Sequence, residues 1–165
     1  MTSWPTLRPG DVVPLAGTAV AVAALGPSGF PALVGALAVV PFALASRYDR
    51  ALLAHLGGLL LVGAVVLAGV GTADQALVLV ATVATVVAWD AATTAMALDA
   101  QFSPAASTAR AEAVHTGATL LVGTLIAGTV FLLSRASVGD VPAAVAVTVI
   151  AAAVVFLVVL DPRPG

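Results

Sequence analysis

The sequence contains no cysteine and no lysine, and only 8% of its 165 residues are charged. The absence of cysteine excludes disulfides and thiolate metal ligands. Soluble domains carry about 25% charged residues, so a soluble fold could not cover its surface with so few. The net charge is −2 and there is no basic run, which gives no electrostatic footprint for nucleic acid. These absences disfavour both a soluble domain and a nucleic-acid-binding protein.

Apolar residues make up 61% of the chain, and its mean hydropathy is +1.16. They occur in blocks of roughly 14–25 residues, the length that crosses a bilayer. The pattern predicts an all-α, polytopic membrane protein, with residues 1–165 forming one transmembrane domain in contact with the lipid bilayer. A signal peptide stays open as an alternative, because Arg8 precedes the apolar run that starts at Val12.

The apolar blocks predict six spans, with an interfacial helix before the fifth that starts at Ser103-Pro104. The predicted spans are residues 12–25, 30–45, 51–71, 75–98, 113–133 and 142–160. The turn signal Gly26-Pro27-Ser28-Gly29 divides the first two, Pro41 is expected to kink the second, and Asp74 is expected to cap the fourth. The first span is only about 21 Å long. A re-entrant hairpin over 12–45 is therefore a second possibility.

The arginines predict the orientation. In a six-span chain, one side of the membrane holds Arg8, Arg47, Arg50, Arg110 and Arg163, and the other holds Arg135. The positive-inside rule places the arginine-rich side in the cytoplasm. The expected location is therefore the cell membrane, with multiple passes and both termini cytoplasmic.

Asp90 is the deepest charged residue of the predicted spans and the first candidate site. It lies nine residues from Asp99, or roughly 13 Å along the helix, which places it near the bilayer centre. An ionised aspartate there costs about 2.5–3.5 kcal/mol and so requires a partner, water or a proton. Thr94 lies at i+4 on the same helix face and completes the candidate intramembrane site. Two readings are open: a structural hydrogen bond to a neighbouring helix, or a proton- or cation-carrying site.

A second candidate set is expected near the cytoplasmic face: His55, Asp99, Arg110, Glu112 and His115. Glu112 and His115 are three residues apart and share a helix face. Small residues continue close to that face at Thr119, Gly123 and Ala127, so we expect it to point into the bundle. The open readings are a salt-bridged anchor, a partner-docking surface and a metal site. Metal is disfavoured because bundle sites use two copies of the Glu-x-x-His motif, and this chain has one.

No sequence motif indicates an enzyme. The nucleophile elbow, phosphate loop, zincin motif and dinucleotide fingerprint are all missing from the sequence. Serines and threonines are scattered without a base at a plausible spacing. We therefore expect no catalytic activity, no cofactor and no metal.

One pattern resembles a known family signature. It comprises Ala88-Trp89-Asp90, Gln101, Ala106, Thr108, Arg110, Glu112, His115 and Val122-Gly123. In this order, W-D followed by R-x-E-x-x-H resembles a haloarchaeal family of small integral membrane proteins of unknown function, over roughly residues 80–135. The absence of lysine agrees with that source. Members of that family are often encoded near MoxR-type ATPases, so the resemblance implies an assembly or scaffolding role and no established activity.

The resulting functional prediction is a non-enzymatic scaffold or subunit of a membrane complex, which docks through residues 99–115. The partner is another membrane protein or a second copy of the chain. The alternative is a small proton- or ion-coupled transporter that uses Asp90. A transporter should bring several polar groups to Asp90, often from broken helices.

Overall fold

The computed structural model describes residues 9–48, 50–71, 73–101 and 109–136, and these residues are almost entirely helical. The helices are α1 (Pro9–Leu25), α2 (Phe30–Leu37), α3 (Val39–Tyr48), α4 (Ala51–Val70), α5 (Gln75–Gln101) and α6 (Ala109–Ala136). Gly26–Ser28 forms a 3-10 turn between α1 and α2. The described ranges contain no strand, in agreement with the all-α prediction.

Within the described residues, four helical stretches are long and apolar enough to cross a membrane: Phe30–Tyr48, Ala51–Val70, Gln75–Asp99 and Ala109–Arg135. A shorter apolar helix covers Val12–Ser28. The prediction of a helical, membrane-compatible chain is therefore confirmed. The described residues therefore contain five apolar helical segments, four of membrane length and one shorter, whereas the sequence predicted six spans. The sixth predicted span, 142–160, and residues 102–108 of the predicted interfacial helix lie outside the described residues.

The first two apolar helices form a hairpin whose turn depends on one glycine. Gly29 has φ +67, the left-handed region that favours glycine, and its N–H donates to the Gly26 carbonyl at 3.3 Å. The second arm is interrupted at Ala38, between α2 and α3. Pro41 has no N–H for the Leu37 carbonyl, and its ring crowds that carbonyl. The predicted kink is thus an interruption that lies three residues before the proline.

α5 is the central helix and packs against α1, α4 and α6. α1 approaches it closely at Gly17, because a Cβ there would lie 3.1 Å from the Ala84 carbonyl oxygen and 3.2 Å from the Ala88 Cα. The predicted cap is present where α5 begins. The Asp74 carboxylate accepts the N–H of Ala76 at 2.8 Å and of Leu77 at 3.3 Å.

Two adjacent glycines on α4 make room for aromatic rings. A Cβ on Gly57 would lie 2.8 Å from the Phe42 ring, and one on Gly58 would overlap the Trp89 indole. At both positions the glycine faces a side chain of the neighbouring helix and not its backbone. In a core built mostly of alanine, the few large side chains need a notch in the facing helix.

α6 runs antiparallel to α5 along most of its length. Ser134 donates to the Gln75 amide oxygen at 3.2 Å near one end, and Gly123 faces Val83 in the middle. The half-buried residues of α6 form one stripe: Glu112, Thr116, Thr119, Gly123, Ala127, Val130, Phe131 and Ser134. This confirms that the face carrying Thr119, Gly123 and Ala127 points into the bundle. The other faces of α6 are exposed, and no residue of its apolar window is fully buried.

We predict that Gly58→Ala destabilises the protein while Gly63→Ala does not. The added methyl of Gly58→Ala would overlap the Trp89 ring, whereas a Cβ at Gly63 meets no atom within 4 Å in the described structure. Overpacking of this kind costs about 1–3 kcal/mol. The measurement is the denaturation midpoint in detergent, followed by circular dichroism. Equal midpoints for the two variants would contradict the packing of Trp89 against Gly58.

Candidate functional site

The intramembrane candidate Asp90 is bonded to α6. Its Oδ2 accepts a hydrogen bond from the Thr119 hydroxyl at 2.6 Å and lies 2.9 Å from His115 Nε2. Oδ1 makes no hydrogen bond to a described residue. The side chains remain accessible, at 31% for Asp90 and 48% for His115. Asp90, His115 and Thr119, hereafter the α5–α6 clasp, form a polar joint between two apolar helices.

The antiparallel pairing of α5 and α6 explains this arrangement. His115 and Thr119 are one helical turn apart on α6, so both can reach a single carboxylate on the facing helix. On α5 itself, the Thr93 hydroxyl donates to the carbonyls of Trp89 and Asp90, each at 3.1 Å. The Asp90 side chain is therefore left to the groups on α6.

The structure joins parts of the two candidate sites that the sequence kept separate. α6 begins at Ala109, so His115 lies about 9 Å from its start and inside the apolar stretch. The sequence placed the start of the span at residue 113 and hence His115 at the cytoplasmic face. In the structure, the register of α6 against α5 brings His115 level with Asp90.

Thr94, the other member of the predicted intramembrane site, is not part of the clasp. It is half-buried, and no hydrogen bond to Asp90 is found among the described residues. Thr119 supplies the hydroxyl instead, because the Asp90 side chain turns towards α6 rather than along α5. The signal for Thr119 was present in the sequence, four residues after His115 on the same helix face.

His55 belongs to α4 and contacts a different side of α5 from the one that faces α6. Its Nδ1 accepts a hydrogen bond from the Trp89 indole N–H at 3.0 Å, and the two rings meet edge-on with centroids 5.9 Å apart. Trp89 and Asp90 are neighbours on the helix and point about 100° apart, so they contact α4 and α6 respectively. No partner for Trp89 could be predicted from the sequence, and in the structure this residue links α5 to α4.

The remaining cluster members lie nearer the end of the bundle. Asp99 is exposed in the last turns of α5, Glu112 is half-buried in the first turn of α6, and both make polar interactions. Arg110 is exposed. Arg47 and Arg50 lie at the same end, at the α3–α4 connection, whereas Arg135 lies at the opposite end of α6.

The clasp brings an imidazole and a hydroxyl to one carboxylate oxygen. Thr119 and His115 both bond to the same carboxylate oxygen, and Thr119 donates to Asp90 rather than to His115. In a hydrolytic triad, the hydroxyl bonds to the histidine and the histidine bonds to the carboxylate. Here the hydroxyl and the histidine both contact the carboxylate. Within the described ranges, no three histidine or acidic side chains are arranged to hold a metal.

Fold and site define an all-helical, membrane-compatible protein with a polar clasp between two of its apolar helices. Residues 5–158 match the profile of a family of unknown function, DUF7519, and the chain belongs to that family. The expectation of an uncharacterised family is thereby confirmed, whereas the haloarchaeal source and the signature stay predictions. No curated protein and no solved structure matches the chain.

We predict that Thr119→Val weakens the protein and that Thr129→Val does not. Thr119 loses a bond to a charged group on another helix, whereas the Thr129 hydroxyl bonds only to the Leu125 carbonyl of its own helix. Hydrogen bonds between helices in membranes contribute about 0.6 kcal/mol on average and up to about 1.7 kcal/mol. A charged acceptor should place Thr119 in the upper part of that range.

The measurement is reversible unfolding in mixed micelles, with Asp90→Asn added to complete a double-mutant cycle. A coupling near zero between positions 90 and 119 would show that the clasp does not stabilise the fold.

Proposed function

We propose that the protein is a non-enzymatic scaffold or subunit of a membrane complex, without a cofactor. In this proposal the clasp is structural, and the cytoplasmic start of α6 is the docking surface. The observation that carries it is that one carboxylate oxygen of Asp90 contacts two side chains of the neighbouring helix, at 2.6 Å and 2.9 Å. The deepest carboxylate thus has a structural task that needs no substrate.

The arrangement of helices around Asp90 supports a joint more than a carrier site. Both donors come from α6, and no polar side chain of α1–α4 reaches Asp90 in the described structure. The interrupted helix, α2–α3, packs against α4 and α1. A carrier usually places its substrate site where broken helices meet. Here the break and the carboxylate are on different parts of the bundle.

The proposed topology has six spans in the cell membrane with both termini cytoplasmic. The turn between α1 and α2 supports two crossings over residues 12–45. Leu25, which precedes it, packs in one cluster with Ala64 and Ala81. Ala81 is six residues, or about 9 Å, from the start of α5. α1 therefore extends through most of the bundle, which a shallow re-entrant hairpin would not.

Arg110 is the residue through which we expect docking. It is exposed in the first turn of α6, beyond the clasp, and an exposed guanidinium is suited to carboxylate groups of a partner. His115, which the sequence assigned to the same surface, is engaged with Asp90 and is left out of it.

We predict that Arg110→Ala loses a membrane partner that wild type and Arg135→Ala retain. Arg135→Ala is the matched control, because it removes the same charge from the other end of the same helix. The measurement is affinity purification from native membranes in mild detergent, with mass spectrometry and with equal insertion of all three proteins. Purification of the wild-type protein without any partner would reject the scaffold proposal.

A small proton-coupled transporter is the second candidate. It is favoured by the accessibility of the clasp, in which the Asp90 and His115 side chains are 31% and 48% exposed. A carboxylate and an imidazole in contact can exchange a proton, and ionisable residues in spans often mark proton pathways.

If the protein is such a transporter, Asp90→Asn abolishes proton movement. The measurement is collapse of a pH gradient in proteoliposomes that hold a pH-sensitive dye. Wild type and Thr129→Val should dissipate the gradient, and Asp90→Asn should not. A wild-type protein that leaves the gradient intact, with each candidate substrate class supplied, would eliminate the transporter.

A further inference from the structure

Among the described residues, the clasp is open on one side, and an open polar joint has an energetic cost in a membrane. His115 is half-exposed, and the described residues bond neither its Nδ1 nor the Oδ1 of Asp90. Ionisable side chains in spans almost always face a bundle interior, a cavity or one another, because lipid offers them no hydrogen bonds. The open side of the clasp therefore needs a polar occupant.

The open side continues along α6 as a seam whose members are three or four residues apart. The seam residues, all exposed, are Ala111, His115, Ala118, Val122 and Ile126. Its members lie beside the stripe that contacts α5, and the seam has the spacing of a helix-packing face. His115 is the only polar side chain on the seam. The seam thus combines an apolar packing face with one concentrated polar point.

We infer that this seam is the interface with a second copy of the chain, with the two α6 helices parallel about a two-fold axis along the membrane normal. The interface is self-complementary, since a two-fold axis places the same residues of both copies against each other. Each copy offers one ring nitrogen, Nδ1 of His115, and one carboxylate oxygen, Oδ1 of Asp90. Each therefore supplies what the other lacks.

The chemistry of the paired clasps balances. A His115 protonated on both nitrogens donates from Nε2 to its own Asp90 and from Nδ1 to the partner's Asp90. The two imidazolium charges then cancel the two carboxylate charges, and the four groups form a closed ring of hydrogen bonds. Such a ring removes the uncompensated polarity that makes an isolated charge costly in lipid.

The amino-acid composition of the chain's own last apolar segment makes it a poorer occupant. Residues 142–160 include one polar side chain, Thr148, and no ionisable residue. A threonine can supply one hydroxyl but no charge, whereas a second copy supplies both a cation and an anion. This interface is separate from the proposed docking surface. The seam lies within the apolar stretch of α6, whereas Arg110 lies at the start of that helix.

The absence of cysteine makes the test clean, since every cross-link must come from an introduced residue. We predict that Ala118→Cys and Val122→Cys each form disulfide-linked dimers under mild oxidation in liposomes of purified protein. Thr124→Cys is the matched control, because position 124 is equally exposed but lies about 180° from His115 around α6. Dimers from 118 and 122 but not from 124 are the expected result.

Two backgrounds test the polar part of the interface. His115→Leu removes the donor to the partner, so the Ala118→Cys dimer should be lost. Thr119→Val weakens the bond within one copy but leaves Nδ1 and Oδ1 in place, so that dimer should remain. Retention of the dimer in both backgrounds, with monodisperse protein, would overturn the proposed ring.

Monomers at all three cysteine positions would overturn the inference as a whole, and the seam would then be covered by the chain itself or by another protein. Because purified protein is used, this failure is separate from the loss of a cytoplasmic partner in Arg110→Ala. Either result can occur without the other.

Discussion

The carboxylate of Asp90 is the constraint on which the arrangement of α5 and α6 depends. In an apolar environment, a charge must be neutralised or hydrogen-bonded, and the helix that carries it cannot rotate freely about its axis. Two donors on α6 meet one oxygen of Asp90, and this fixes both the rotation and the vertical register of the two helices. The register places Gly123 beside Val83 and Ser134 beside Gln75.

The contacts between α5 and the helices α1 and α4 have a different physical basis. Apolar helices in lipid gain little from the hydrophobic effect, so their association depends on close packing and on hydrogen bonds. Gly17 lets the α1 and α5 backbones approach, and Gly58 receives the Trp89 ring. Trp89 adds a hydrogen bond to His55 of α4. Consecutive residues of α5, Trp89 and Asp90, thus secure neighbours on two sides of the central helix.

The parts of the structure that could be predicted from the sequence are those with a local signal. Hydropathy gave the helical class, Gly26-Pro27-Ser28-Gly29 gave the hairpin turn, and Asp74 gave a cap. Pro41 predicted an interruption of the second span, but it did not predict that the interruption lies at Ala38. The inward face of α6 followed from the spacing of its small residues. Each of these features is encoded within a few neighbouring positions.

The partners of the polar residues could not be predicted in the same way. Whether Thr94 or Thr119 bonds to Asp90 depends on the register of α6 against α5. A shift of four residues in that register moves a side chain by about 6 Å along the helix axis. The contact between His115 and Asp90 depends on the same register. His55 could be placed near Trp89 only with the register of α4 against α5. Helix ends help to define these registers, and a sequence with only 8% charged residues marks its helix ends weakly.

The geometry of the clasp also relates its structural task to any task in proton movement. A proton that arrives at Asp90 Oδ2 must displace a bond to Thr119 or His115, and so it would loosen α6 from α5. A proton at Oδ1 would leave both bonds intact, and it would enter from the open side where His115 is exposed. A second copy on the seam would close that entrance. Closure by a partner therefore favours a rigid joint, and a clasp left open in the membrane favours a carrier.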